Sequence, residues 1–346
     1  MDFEIIADEE AFAAMQTAWN GLLERSATRV PFLRHEYLFP WWETRGGGEW
    51  DAASRLRIIA AREEDGTLAG IAPLFLASHR GEPGDTLAFL GALEISDYLD
   101  FIVPPERLPA FVPALFDFLS AEVPGWKAFD ACNLLENSPA RPLLAAEAAR
   151  RGWNFVEEPL QPAPCVLLPE TWEAYLAGLK KKQRHEIRRK LRRAAAYESP
   201  VRWYAVSDED TLDDEVEAFL HLMAYDPAKE SFLSEVMRSQ MRRMVHAAFR
   251  AGWLQLAFLE VGGEKAAAYL NLDFDNQLWV YNSGLNPAYR HLSPGWVLLA
   301  HIIRDAIARG RTALDFMRGD EAYKYRFGGQ DRFVWRARLE RGDSSG

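Results

Sequence analysis

The chain has 346 residues, 49% of them hydrophobic, with twelve Trp, twenty Phe and a formal net charge of −11. That length suits two domains with filled cores, and the two cysteines, Cys132 and Cys165, exclude a disulfide framework and fit a reducing compartment. The N-terminus lacks the basic and apolar parts of a secretion signal, and no run reaches the ~18–20 apolar residues of a membrane span, so a cytoplasmic, soluble protein is expected.

Helical spacing covers 9–23. LRIIAA (56–61) and LAGIAPLFLA (68–77), around an Asp65-Gly66 turn, predict a strand pair. The apolar segment 87–103 leads into a helix near 107–119. AFDACNLL (128–135) predicts a buried strand, and 138–152 a helix with Ser138 as N-cap and Gly152 as stop. Three prolines in EEPLQPAP (157–164) place a domain junction there. The second half begins with a strand at 165–168 and a capped helix start, ETWEAYLAGL (170–179). A strongly basic helix follows, then a strand at 201–206 and helices near 211–224 and 233–251. Strands at 253–261, 265–274 and 278–286 form an antiparallel meander. A helix near 295–309 stops at Gly310, and a strand at 312–317, a short helix and a last strand complete the chain.

Three segments carry candidate chemistry. The first is LKKKQRHEIRRKLRRA (179–194), with nine Lys or Arg and one acid. Its own charge is +8, so the rest of the chain holds −11 − 8 = −19. Leu176, Leu179, Ile187, Leu191, Ala194 and Ala195 line one side, which makes an amphipathic helix with a cationic remainder. A solvated helix face, a nucleic-acid surface and a site for a compact anion all fit this pattern. DNA is not expected, because the positive region is one helix on an otherwise acidic chain.

The second is YNSGLNPAYRHLSPGWVLLAHII (281–303). A glycine in the strand at Asn282-Ser283-Gly284 suggests a bulge or the close approach of another backbone. Ser293-Pro294-Gly295 opens an apolar helix, with Pro294 suited to the first turn. Helix-start amides favour an anion, and Arg290 adds charge. The third segment, DFMRGDEAYKYRFGG (315–329), is dense in Gly and charge just past a strand.

Arg290-His291-Leu292-Ser293-Pro294-Gly295 is similar to the R/Q-x-x-G-x-G/A pyrophosphate loop of GNAT acyltransferases, with Ser293 at the first glycine position. Asp315, Phe316, Gly319, Glu321, Tyr323 and Lys324 resemble the C-terminal signature of CelD/BcsL-type acetyltransferases. Lys324, Phe327, Gly328 and Gly329 resemble the F-K-x-x-F-G-G segment of Fem-type aminoacyl transferases. IAPLFL (71–76), SDYLDF (96–101) and the basic helix extend the likeness over about 30–330.

The resemblance implies an α+β fold of two GNAT-like units, each a mixed, largely antiparallel sheet flanked by helices. Residues 1–160 would form the acceptor side and 161–346 the acyl-donor side. It further implies transfer of an acetyl or other acyl group from acyl-coenzyme A to an amine or hydroxyl of a small or sugar-linked acceptor, without a metal, in exopolysaccharide or envelope synthesis. On that basis Asn282, Ser283, Gly284, Leu285, Arg290, Ser293, Pro294, Gly295 and Trp296 would hold the donor. Asp320 or Glu321 would take the acceptor's proton, and Lys324, paired with Asp320 four residues away, would stabilise charge beside Tyr323. Lys181, Arg184 and Arg188 would meet a phosphorylated partner. Asp97, Tyr98 and Asp100 would either turn the chain or face a cleft and bind the acceptor. Two alternatives stand beside this: a Fem-type transferase whose donor is aminoacyl-tRNA, and a non-catalytic GNAT-like binding protein. The sequence has no H-E-x-x-H, G-x-S-x-G, Walker or G-x-G-x-x-G motif.

Overall fold

The computed structural model describes residues 1–78 and 85–342. They form two units, Met1–Gln161 with Phe333–Gly346, and Pro162–Arg332, each built on a six-stranded mixed sheet flanked by helices. This is the expected fold class. Among the described residues no helix is long and apolar enough to cross a membrane.

In Pro162–Arg332 the strand order is Val201–Ala205, Leu254–Val261, Glu264–Phe274, Gln277–Leu285, Ala313–Asp315, Cys165–Leu167. All neighbours are antiparallel except Gln277–Leu285 and Ala313–Asp315, which the crossover helix Pro294–Ala308 joins in parallel. That helix buries Val297, Leu298, Leu299, Ile302 and Ile303 against Ala257, Leu259, Ala267 and Tyr269 of the sheet. At roughly 1.5–3 kcal/mol for each large aliphatic side chain, this face anchors the unit and fixes where the helix begins.

The basic helix follows a shorter one, with the break just before Lys181. Trp172–Gly178, capped by Thr171 on the Ala174 amide, and Lys181–Ala195 are separate helices. Leu176, Ile187 and Ala194 are buried and Leu179 and Leu191 partly so, whereas Ala195 is exposed.

In the first unit the strand order is Arg55–Leu56, Leu74–Ala77, Thr86–Phe89, Ala128–Leu135, Phe333–Glu340, Asn154–Pro162. A three-stranded sheet of Asp2–Ile6, Ile58–Arg62 and Leu68–Ala72 accompanies it. The final strand departs from the sequence expectation, which keeps 161–346 together. Phe333–Glu340 runs antiparallel to Ala128–Leu135, from Val334 opposite Leu135 to Glu340 opposite Ala128. Burial of Val334, Ala337 and Leu339 holds it there, with Arg336 and Arg338 on Asp130. The proline-rich segment is also ordered differently. Asn154–Pro162 is a strand, and its position at the sheet edge lets Pro159 and Pro162 omit their donors.

Tyr98 and Asp100, proposed from sequence as acceptor contacts, lie inside this unit. Tyr98 is fully buried beside Phe32, and Asp100 is 2% exposed. The Asp100 carboxylate accepts from the Thr28 hydroxyl at 2.6 Å, the Ser138 hydroxyl at 2.5 Å and the Phe101 amide at 2.8 Å. Enclosed side chains with these partners tie the loop to the Ala140–Arg151 helix start, where Ser138 also accepts from Ala140. Asp97 is half-buried.

Burial pushes the Asp100 carboxyl from its ordinary 3.8 up to about 6, against the pull of Ser138 and Thr28. The folded state therefore binds this proton more tightly than the unfolded chain. Its contribution to stability, on the order of 3 kcal/mol for a shift of about two units, is full below pH 4 and lost as pH rises through 6. We expect Asp100→Asn to flatten the fall in unfolding free energy between pH 4.5 and 7 relative to wild type. Denaturant titrations at several pH values check it, and parallel curves would refute it.

Candidate functional site

The parallel pairing of Gln277–Leu285 with Ala313–Asp315 lasts for three residues, Gln277 to Trp279. The register against the other neighbour then shifts, with Asn271 opposite Val280 but Leu270 opposite Asn282, so Tyr281 is the extra residue of a bulge. From Asn282 onward the strand stays paired with Ala267–Leu270 while its parallel partner has ended. The Asn286 amide donates to Ala266, so by antiparallel alternation Ser283 and Leu285 turn their peptide groups to the open side. There the Ser283 N–H meets Asn282 Oδ1 at 2.8 Å, and its carbonyl accepts from Lys229 Nζ at 2.5 Å. Gly284 has a separate cause: a Cβ would stand 2.5 Å from the backbone of Leu222 and Met223, so the helix Leu212–Met223 requires glycine. The sequence signal offered a bulge or a close backbone approach. Both occur, a few residues apart.

The loop 287–293 ends at Ser293, which has φ +54° and caps Pro294–Ala308. Pro294 has no N–H, and the Trp296 and Val297 amides turn back to the Ser293 carbonyl. The Ser293 hydroxyl receives Lys190 Nζ at 3.0 Å and Arg193 at 3.1 Å. Two cations from the basic helix thus converge on one neutral oxygen at a helix start. Burial pulls the Lys190 ammonium below its usual range, Glu186 at 3.5 Å opposes this, and the Trp296 ring lies 4.3 Å beneath it. Trp296 also packs on Phe327, and with Lys182, Gln183, Glu186 and Arg326 it lines a cleft of about 330 Å³. Arg290 is exposed, and Leu285 Cδ2 would meet a Cβ on Gly295 at 2.8 Å.

At 100° per residue, Lys190 and Arg193 flank the buried stripe on the side opposite Lys181, Arg184 and Arg188. The cations singled out from sequence therefore face away from Ser293. Lys181 and Arg188 are exposed and Arg184 is half-buried. Composition shows how many cations the helix has, and only its packing on Pro294–Ala308 selects the flank.

In the third segment the helix is Ala322–Arg326, with Glu321 at its N-cap. Asp320 precedes it, so the expected Asp320–Lys324 pair is replaced by Glu321–Lys324 at 2.9 Å. The Lys324 ammonium is neither a surface group nor open to a substrate. It is 2% exposed and donates to the carbonyls of Met317 at 3.2 Å, Arg318 at 2.6 Å and Gly319 at 3.2 Å. Those carbonyls and Glu321 are four acceptors for its three N–H donors, so none is left over. Gly319, at φ +110°, leaves no room for a Cβ beside Glu321 and Lys324. Tyr323 packs on Phe316, and burial, with Glu321 nearby, raises its phenol. Asp315 is fully buried, bonded to Arg332 and to the Met317 amide.

Sequence reasoning missed Lys229. It lies on the short helix Pro227–Phe232, and its Nζ reaches Asn282 Oδ1 at 2.9 Å as well as Ser283 O. Asp226-Pro227 marks the helix start, but no local pattern shows where the third residue of that helix will point. Among the described residues no group of three or more His, Cys, Asp or Glu could hold a metal ion.

The acetyltransferase (GNAT) domain family matches residues 181–325, which contain the open strand edge, the Ser293 helix start and Lys324. Among solved structures, FemX aligns over 97% of this chain and 97% of its own, with 13% identity and a TM-score of 0.64. A conserved protein of unknown function from Bacteroides thetaiotaomicron aligns over 98% and 100%, with 15% identity and a TM-score of 0.62. L-PGS from Bacillus licheniformis aligns over 93% and 90%, with 11% identity and a TM-score of 0.55. At these identities the likeness is one of fold. No curated protein matches the sequence.

Lys324→Met keeps the aliphatic stem but strands three carbonyls and a carboxylate. We expect a loss of roughly 3 kcal/mol in unfolding free energy, the scale for leaving buried carbonyls without their charged donor. Chemical denaturation monitored by tryptophan fluorescence checks it. Wild-type stability would show that these bonds contribute nothing to holding the segment.

Proposed function

We propose that Pro162–Arg332 transfers an acyl group from an acyl-coenzyme A to an amine or hydroxyl of a small or sugar-linked acceptor. The observation that carries this is the convergence of Lys190 and Arg193 on the Ser293 hydroxyl at the start of Pro294–Ala308. Cations held against a neutral oxygen, beside a helix start, suit a donor pyrophosphate that would replace the hydroxyl as their acceptor. The side chain at Ser293, where the family loop has glycine, is then the residue that orients both cations. The open strand edge at Ser283–Leu285 lies one short loop away in sequence and supports placing the thioester carbonyl there. Glu321, exposed and bonded on one oxygen to Lys324, is the better placed of the two candidate bases, because Asp320 lies outside the helix and makes no pair with Lys324. Envelope or exopolysaccharide chemistry is the setting that the CelD/BcsL-type resemblance suggests.

One observation favours a second reading, an aminoacyl-tRNA donor. The outward flank of the basic helix presents Lys181, Arg188 and Arg192 to solvent, and a compact donor seated at Ser293 leaves them unused.

Replacing Lys190 and Arg193 together by Gln should weaken coenzyme A binding at least tenfold in calorimetry with an unchanged melting temperature. Equal affinity for variant and wild type would remove the Ser293 loop from the donor site. Binding of tRNA by wild type is expected to be weak. Tight binding that falls with salt by about 0.7 in log–log slope for each phosphate contact, and that is lost when Lys181, Arg188 and Arg192 become Gln, would establish the second reading instead.

A further inference from the structure

With its three donors spent on carbonyls and Glu321 beside it, Lys324 has none left for a reacting group. The open edge of Gln277–Leu285 has another cation. Lys229 Nζ uses two donors, on Asn282 Oδ1 at 2.9 Å and on the Ser283 carbonyl at 2.5 Å, and among the described residues its third N–H has no bonded partner. It stands on the same residue whose N–H faces the open side and, among the described residues, donates to the adjacent Asn282 side chain. An amide and an ammonium at one residue, both on the side where two parallel strands part, form the arrangement that an oxyanion needs. Burial draws the Lys229 amine below its usual range, and Asp226 and Glu321, the charged groups facing it, pull against that shift. A poorly hydrated ammonium loses little solvation when an oxyanion forms next to it.

We propose that Lys229 is a catalytic residue of acyl transfer, donating its third N–H to the carbonyl oxygen of the acyl donor as negative charge develops there. This rests on the acyl-transfer reading above, but not on which donor is used. The acceptor nitrogen or oxygen bonds to the acyl carbon, and the carbonyl π pair moves onto oxygen between Lys229 and the Ser283 N–H. The pair then returns to expel the thiolate of a thioester or the hydroxyl oxygen of an ester. The acceptor's proton, taken by a carboxylate such as Glu321, ends on the leaving sulfur or oxygen. Asn282 Oδ1, which now occupies the Ser283 N–H, would yield that donor to the substrate and keep its hold on Lys229.

The test follows the lysine itself. Full-length protein carrying ¹³C-labelled lysine gives a Lys229 Cε signal, assigned by its absence in Lys229→Arg. Three ligands are added at saturation: coenzyme A, a ketone analogue of acetyl-coenzyme A with carbon in place of the thioester sulfur, and a stable aminoacyl-adenosine amide. A shift with the ketone analogue that coenzyme A alone does not cause supports Lys229 with a thioester donor. A shift only with the aminoacyl-adenosine amide supports Lys229 and sinks the coenzyme A reading. An unmoved signal with both carbonyl ligands overturns the proposal, even if coenzyme A binding through Lys190 and Arg193 leaves the proposed donor site standing. In turnover, Lys229→Met should lose on the order of a hundredfold in kcat with donor KM within about twofold, and Lys229→Arg should recover part of the loss. Wild-type kcat in the Met variant would also overturn it.

Discussion

Everything at the candidate site depends on a pairing that stops. Two parallel strands joined by a crossover helix would ordinarily bond along their length, yet Gln277–Leu285 and Ala313–Asp315 share only three residue pairs. The bulge at Tyr281 adds twist as the pairing ends, and the helix Leu212–Met223, pressed onto Gly284, keeps the released half of the strand from straightening. Backbone groups that a sheet would consume are thereby left for side chains and ligands. The first unit uses the same parallel start, Thr86–Ala88 beside Ala128–Asp130, with a different outcome. There the chain fills the opening itself: Asn133 donates to the carbonyls of Leu93 and Ser96, and its own carbonyl accepts from Leu99. Shared topology therefore leads to packing in one unit and to a candidate site in the other.

The charge of Lys181–Ala195 divides along its length and around its circumference. Glu186 neutralises part of it through Arg189 and Lys190. Ile187 and Ala194 seat the helix, which carries Lys190 and Arg193 to the Ser293 hydroxyl and leaves the other flank in water. Exposed cations gain little from one another and much from a mobile anion, whereas the half-buried pair beside Trp296 has already given up hydration. The two flanks are therefore unequal in their demand for a partner.

The fold was largely legible because its signals are local. The meander strands have their turns, the crossover helix has Pro294 and Gly310, and Gly152 ends its helix in the left-handed conformation expected of a stop. What could not be read is relational. The pairing of Phe333–Glu340 depends on a partner far away in sequence, and Asn154–Pro162 tolerates prolines only because it lies at an edge. Among site residues, the helix start at Ser293 was legible because Pro294 marks the first turn of its helix. Lys324 was recognised by motif but given the wrong partner, since the helix begins only at Ala322, which leaves Asp320 outside it and Glu321 at its N-cap beside Lys324. Lys229 gave no signal, because its relevance lies in a reach from one element to the edge of another.

The placement of the last strand also governs how the protein can be made. Phe333–Glu340 is an interior strand of the first sheet, so Asn154–Pro162 has no neighbour in it until the chain beyond Arg332 has been synthesised. On the ribosome Pro162–Arg332 can close its own sheet earlier than the unit that precedes it. That unit must wait with two unsatisfied strand edges, an arrangement of high contact order that folds slowly and invites aggregation. Termination before Phe333 would remove no candidate site residue, yet it would leave the N-terminal sheet unfinished.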